Sequence, residues 1–155
     1  MKQLPERFET LLDALESLDR TDRMQMLVDI AGQFRRVPAS IAERPYPVER
    51  RVPGCESEAY VWARPGSGGT LDYYFAVENP QGISAMALAS ILGDSLSGIP
   101  PEEIVTIPAD VVYRIFGREL SMGKSLGLMG MVNMVRAIAH QHLRAREATR
   151  QQSQT

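Results

Sequence analysis

Two short runs rich in Tyr, Val, Trp and Phe, Ser57 to Arg64 and Thr70 to Val77, are separated by Pro65-Gly66-Ser67-Gly68-Gly69. Runs of this kind joined by a short Gly- and Pro-containing loop pair as an antiparallel hairpin. An isolated two-stranded hairpin is only marginally stable in water, so the rest of the chain has to cover it. Val48 to Val52 offers a third strand, because Val52 precedes a proline and is biased toward extended backbone.

The flanking segments are helical in pattern. From Pro5 to Leu18 the residues Phe8, Leu11, Leu12, Leu15 and Leu18 recur at helical spacing. Thr21 or Asp22 is positioned to cap a second helix, with Met24, Leu27, Val28, Ala31 and Phe34 as its apolar stripe before Pro38 ends the pattern. Residues 35–47 carry Arg35, Arg36, Arg44, Pro38, Pro45 and Pro47 without a period and read as an exposed connection. Asn79-Pro80 looks like a helix start, followed by Ile83, Met86, Ala87, Ile91 and Leu92. Short helices are expected over Glu102 to Val105 and Asp110 to Phe116, stopped by Gly117. A last long helix has Leu128, Met131, Val132, Val135, Ile138 and Ala139 on one face.

The expected fold is therefore α+β: a small antiparallel sheet of about three strands packed against an N-terminal helical hairpin and C-terminal helices. At 155 residues the chain suits one domain, taken as residues 1–148, with 149–155 a flexible C-terminal tail. The net charge of −2 gives no general drive toward nucleic acid or anionic lipid. No apolar run is long enough to span a bilayer, and Met1 to Arg7 lack the apolar stretch of a secretion signal, which suggests a cytoplasmic protein.

Cys55 is the single cysteine. It therefore forms no internal disulfide and no cysteine-rich zinc site, and it is either a small buried filler or a chemically used thiol. Val52-Pro53-Gly54-Cys55 matches a type II turn, since proline presets the second position and glycine tolerates the positive φ of the third. That turn places the thiol on a stiff scaffold near the protein edge, where a second protein can reach it. Arg50 and Arg51 upstream favour a thiolate, whereas Glu56 and Glu58 oppose it.

The segment Val52-Pro53-Gly54-Cys55-Glu56-Ser57-Glu58-Ala59-Tyr60-Val61-Trp62 resembles the Gly-Cys-x-Ser acceptor segment of the SufE-type sulfur-acceptor family, with its hydrophobic strand ending in Trp. The helical pair before it, the hairpin after it, Pro100 to Ile104, and the stretch from Leu120-Ser121 to Gly127-Leu128 follow the same order, over roughly residues 4 to 143. The resemblance implies that Cys55 accepts persulfide sulfur from a cysteine desulfurase, stimulates that enzyme and delivers the sulfur for iron-sulfur cluster assembly on a scaffold protein. Pro53 and Gly54 would shape the loop, Ser57 would start the supporting strand, and Arg50, Arg51 and Lys124 are candidates for docking. No cofactor is implied for this chain, because the pyridoxal phosphate belongs to the desulfurase. The protein would show no turnover alone and would be a monomer or weak homodimer. Two departures from the family pattern stand out: Glu78-Asn79-Pro80 where an Asp is common, and Met122-Gly123-Lys124 where Ser-Arg is common.

Two other readings of Cys55 remain: a docking regulator of a desulfurase that carries no sulfur, and a redox-sensing thiol that cycles through sulfenic acid. His140 and His142 lie two apart on different helix faces and make poor joint metal ligands. Gly66, Gly68 and Gly69 sit between strands with no Lys-Ser/Thr after them, so they are turn glycines rather than a phosphate loop. Met131 is expected in the core, while Met122 could serve either a core or a binding face.

Overall fold

The computed structural model describes residues 4–154; residues 1–3, within the stretch read as lacking a secretion signal, and Thr155 of the expected tail lie outside it. Helices α1 (Glu6–Ser17) and α2 (Arg20–Gly32) form the N-terminal hairpin, and strands β1 (Ala59–Pro65) and β2 (Leu71–Val77) the antiparallel pair. Helices α3 (Ile83–Leu96), α4 (Pro101–Ile104), α5 (Val111–Phe116) and α6 (Met122–Ser153) complete the α+β arrangement.

Register places Val61 opposite Phe75 and Trp62 opposite Tyr74. Because side chains alternate along a strand, Ala59, Val61, Leu71, Tyr73, Phe75 and Val77 join the helices in the main core. Phe8, Leu12 and Leu15 of α1, Leu88, Ile91 and Leu92 of α3, and Met131, Val132 and Val135 of α6 close around that face. Met131 is fully buried, as expected.

The opposite sheet face corrects the reading of residues 35–47 as an exposed connection. Val37, Trp62 and Ala76 are buried together, with Ile41, Ala42, Tyr46, Tyr60 and Tyr74 packed around them. The Val37 N–H donates to the Phe75 carbonyl at 2.8 Å, and the Tyr46 ring meets Trp62 edge-on with centroids 5.0 Å apart. Glu78 ties the segment down through Arg44 at 2.9 Å and Arg36 at 3.5 Å. A two-stranded sheet has two faces to protect, and this nonperiodic segment covers the one the helices leave open.

The third strand does not form. Val48–Arg50 is a 3-10 turn, and only Arg51 bridges to Tyr60. Pro47 and Pro53 bound the run and supply no N–H to a ladder, and Val48, 74% exposed, has no apolar face to gain by extending.

Other boundaries move for local reasons. The α2 cap is Asp19, whose carboxylate accepts the Asp22 N–H at 2.8 Å, rather than Thr21 or Asp22. Met24 and Val28 face solvent, while Leu27 and Ala31 are buried with Met26, Ile30 and Phe34 beside them. Apolar residues sit at 24, 26, 27, 28, 30 and 31, so periodicity alone did not select the arc that packs on α3. Asn79 does not cap α3: its side chain accepts the Gln81 N–H at 3.0 Å, and the helix begins after Gly82. Helix α6 continues through Ser153, so the expected tail is helical over residues 149–153 and solvent-facing.

Candidate functional site

The thiol-bearing loop is two consecutive turns. The Cys55 N–H donates to the Val52 carbonyl at 3.4 Å, and the Glu58 N–H to the Cys55 carbonyl at 3.2 Å. Gly54 has φ +71°, the left-handed value that the third position of a type II turn requires. Glu58, at φ +53°, is left-handed without being glycine, a local strain held by its surroundings. Those surroundings are main-chain bonds from Glu78 N–H to the Glu58 carbonyl and from Asn79 N–H to the Ser57 carbonyl, both 3.1 Å.

Ser57 therefore lies in the second turn and does not start the strand, which begins at Ala59. Its side chain packs against Gly82: a Cβ on that glycine would fall 2.9 Å from both Cβ and Oγ of Ser57. The Asn79 N–H thus ties the start of the β2–α3 connection to the Cys55 loop, while its side chain accepts the Gln81 N–H within that connection.

Cys55 is 7% exposed and belongs to the main core, so the thiol sits inward of the edge position expected from the turn. Above it is a shallow hollow of about 500 Å³ lined by Val48, Arg51, Val52, Pro53, Gly54, Cys55 and Glu56. Beneath it runs α6. A Cβ built on Gly127 would lie 3.3 Å from Cys55 Cα and 3.5 Å from the Gly54 carbonyl oxygen, and one on Gly130 3.2 Å from the Pro53 carbonyl oxygen. From sequence, Gly127 stood out only as part of a helix start, and Gly130 did not stand out at all. The available signal was the cost of glycine inside a helix, about 1 kcal/mol relative to alanine.

Of the residues singled out from sequence, the fold brings Pro53, Gly54, Cys55 and Arg51 to one hollow. Arg50 is half-buried in the preceding turn and does not line the hollow, and Lys124 is exposed in the first turn of α6. There its N–H caps onto the Ser121 hydroxyl at 3.2 Å. Met122 and Leu126, 78% and 59% exposed, stand on the same helix. His140 is exposed, and His142 is half-buried with its Nε2 enclosed and unpartnered. Among the described residues, no three of the types His, Cys, Asp and Glu come together as a metal-binding group. None of the described helices is long and apolar enough to cross a membrane.

The family described as SufE, Fe-S metabolism associated domain, matches residues 9–139. The chain belongs to the SufE family. Residues 9–139 run from α1 into α6 and include the whole Cys55 loop. SufE membership carries a general sulfur-acceptor or carrier role in iron-sulfur metabolism, as an accessory to a cysteine-desulfurase system. The fold agrees: the solution structure of a hypothetical protein from Thermus thermophilus is similar with a TM-score of 0.69. The two are 24% identical, over 91% of this chain and 98% of that one. No curated protein matches the sequence.

Proposed function

We propose that Cys55 is the residue that accepts sulfur, taking it from the persulfide of a cysteine desulfurase and passing it toward an iron-sulfur scaffold protein. The observation that carries the proposal is the position of the chain's single cysteine: at the end of a Pro-Gly turn, beneath an open hollow, inside a SufE domain. In the transfer, the Cys55 thiolate attacks the outer sulfur of the donor persulfide. A new S–S bond forms at Cys55 Sγ while the donor's S–S bond breaks, and its electron pair stays on the donor cysteine. The transferred sulfur keeps its proton and oxidation level, so no external oxidant or reductant enters. Pro53 and Gly54 hold the loop, and exposed Arg51 and Lys124 are the candidate docking cations.

Burial suits the carrier state, because a persulfide exposed to solvent thiols and oxidants is lost. Val48, Met122 and Leu126 give a partner exposed apolar surface on the segments beside and beneath the loop. The pyridoxal phosphate that releases sulfur from cysteine belongs to that partner, and this chain turns nothing over alone.

The test is intact mass after incubation with an active desulfurase and cysteine. Wild type gains about 32 Da per sulfur by the chemistry of persulfide formation, and Cys55→Ser gains none and loses stimulation of the enzyme. The burial of Cys55 at 7% exposure favours one second reading, a regulator that docks without carrying sulfur. In that case Cys55→Ser stimulates as well as wild type.

A further inference from the structure

The loop meets the backbone of α6 at two glycines. Gly127 and Gly130 are three apart and so share a face of α6, and that face lies under residues 52–55. An added methyl at Gly127 would meet Cys55 Cα at 3.3 Å, the Gly54 carbonyl oxygen at 3.5 Å and Cys55 Cβ at 3.7 Å. At Gly130 it would meet Val52 Cγ1 at 3.1 Å and the Pro53 carbonyl oxygen at 3.2 Å. Gly123, on the same helix, has nothing within 4 Å of the position its Cβ would take.

We infer that Gly127, seconded by Gly130, is a positioning residue that sets the depth of the Cys55 thiol and hence its resting protection. The inference rests on the acceptor role of Cys55 proposed above. The loop is anchored at its ends by Val52 N–H to the Ala59 carbonyl at 2.8 Å and by the Glu58 and Asn79 bonds to the strand β2 side. The free part between these anchors, 53–56, is exposed except at Cys55. A methyl on Gly127 presses from beneath on the backbone of Cys55 itself, and a shift of that backbone by a few tenths of an ångström toward the hollow above relieves the contact. The thiol rises with it. What holds Cys55 down is its own side chain in the main core and its two turn hydrogen bonds, while Pro53, Gly54 and Glu56 are exposed.

The experiment compares wild type, Gly127→Ala and Gly123→Ala without partner, measuring the rate of Cys55 modification by a disulfide reagent in the folded protein. Both substitutions replace a glycine of α6 by alanine, Gly123 in the exposed first turn and Gly127 a turn further in against the loop. Gly127→Ala should react at least fivefold faster than wild type, with Gly123→Ala unchanged. Equal rates for all three overturn the inference. Should Gly127→Ala not fold, wild-type NMR decides: cross-relaxation between the Gly127 and Cys55 α-protons supports the seat, and its absence in an assigned spectrum overturns it. A parallel desulfurase incubation separates the two ideas. No sulfur gain by wild type removes the acceptor role on which the seat depends, whereas normal gain with equal modification rates removes the seat alone.

Discussion

The Val52 N–H donates to the Ala59 carbonyl at 2.8 Å, which closes residues 53–58 into a loop fastened directly to β1. The thiol therefore hangs from the sheet at one side and lies on the α6 backbone at the other.

Gly54→Ala tests the first turn. Its φ of +71° with nothing within 4 Å of a Cβ means that the penalty is conformational alone, about 1–2 kcal/mol. Urea denaturation should show that loss, and Cys55 should become more accessible to alkylating reagents as the turn relaxes.

Leu126→Glu tests the docking surface. Leu126 is 59% exposed, so the substitution should leave the melting temperature within a degree or two. A charge in an apolar contact should raise the concentration needed for half-maximal desulfurase stimulation about tenfold. Unchanged stimulation would remove this face of α6 from the interface.

Val37→Ala tests the cover over the outer sheet face. Val37 is 4% exposed beside Trp62, the only tryptophan. Truncation should cost about 2 kcal/mol and shift the Trp62 emission to the red. A solvated linker would produce neither change.

Arg114 joins α5 to α1 through Glu9 at 2.8 Å, Asp13 at 3.0 Å and Glu16 at 2.6 Å. The hydrogen bond from Arg114, with its charge, holds the Glu9 carboxyl below the ordinary 4.5. Glu9 first and then Glu16 raise the guanidinium further above its usual value, against the opposing effect of burial. Arg146 acts likewise on Glu102, first through its hydrogen bond. A carboxylate with a depressed folded pKa stabilises above its unfolded value and loses that contribution as pH falls through the folded one. Denaturation of wild type and Arg114→Met should thus differ most at neutral pH and converge below pH 4.5. Asp13 and Glu16 are exposed and Arg114 and Glu9 half-buried, so solvent still reaches the cluster and the difference should shrink in high salt.

Sequence patterning reached the helices and the hairpin because each depends on neighbours a few residues away. The apolar spacing of α1, the Pro-Gly turn at 53–54 and the aromatic runs of β1 and β2 all carry their own local signal. The missing third strand shows the limit of that reasoning. An extended bias at Val52 is local, but a strand also needs a partner edge and a face to bury, and Val48 has none. The exposed arc of α2 was equally ambiguous, because apolar residues on several sides leave the choice to the helix it meets.

The α+β class, the SufE resemblance and the choice of Cys55 were legible without coordinates, since a unique cysteine in a Gly-Cys-x-Ser segment can be read directly from the chain. Three features come from the fold: the thiol is buried, residues 37–46 close a second small core over Trp62 and Ala76, and Gly127 lies against Cys55. Those facts join residues far apart in the chain, as with Gly127 and Cys55. No local periodicity encodes the distance at which two distant backbones come to rest; the packing of the whole core sets it.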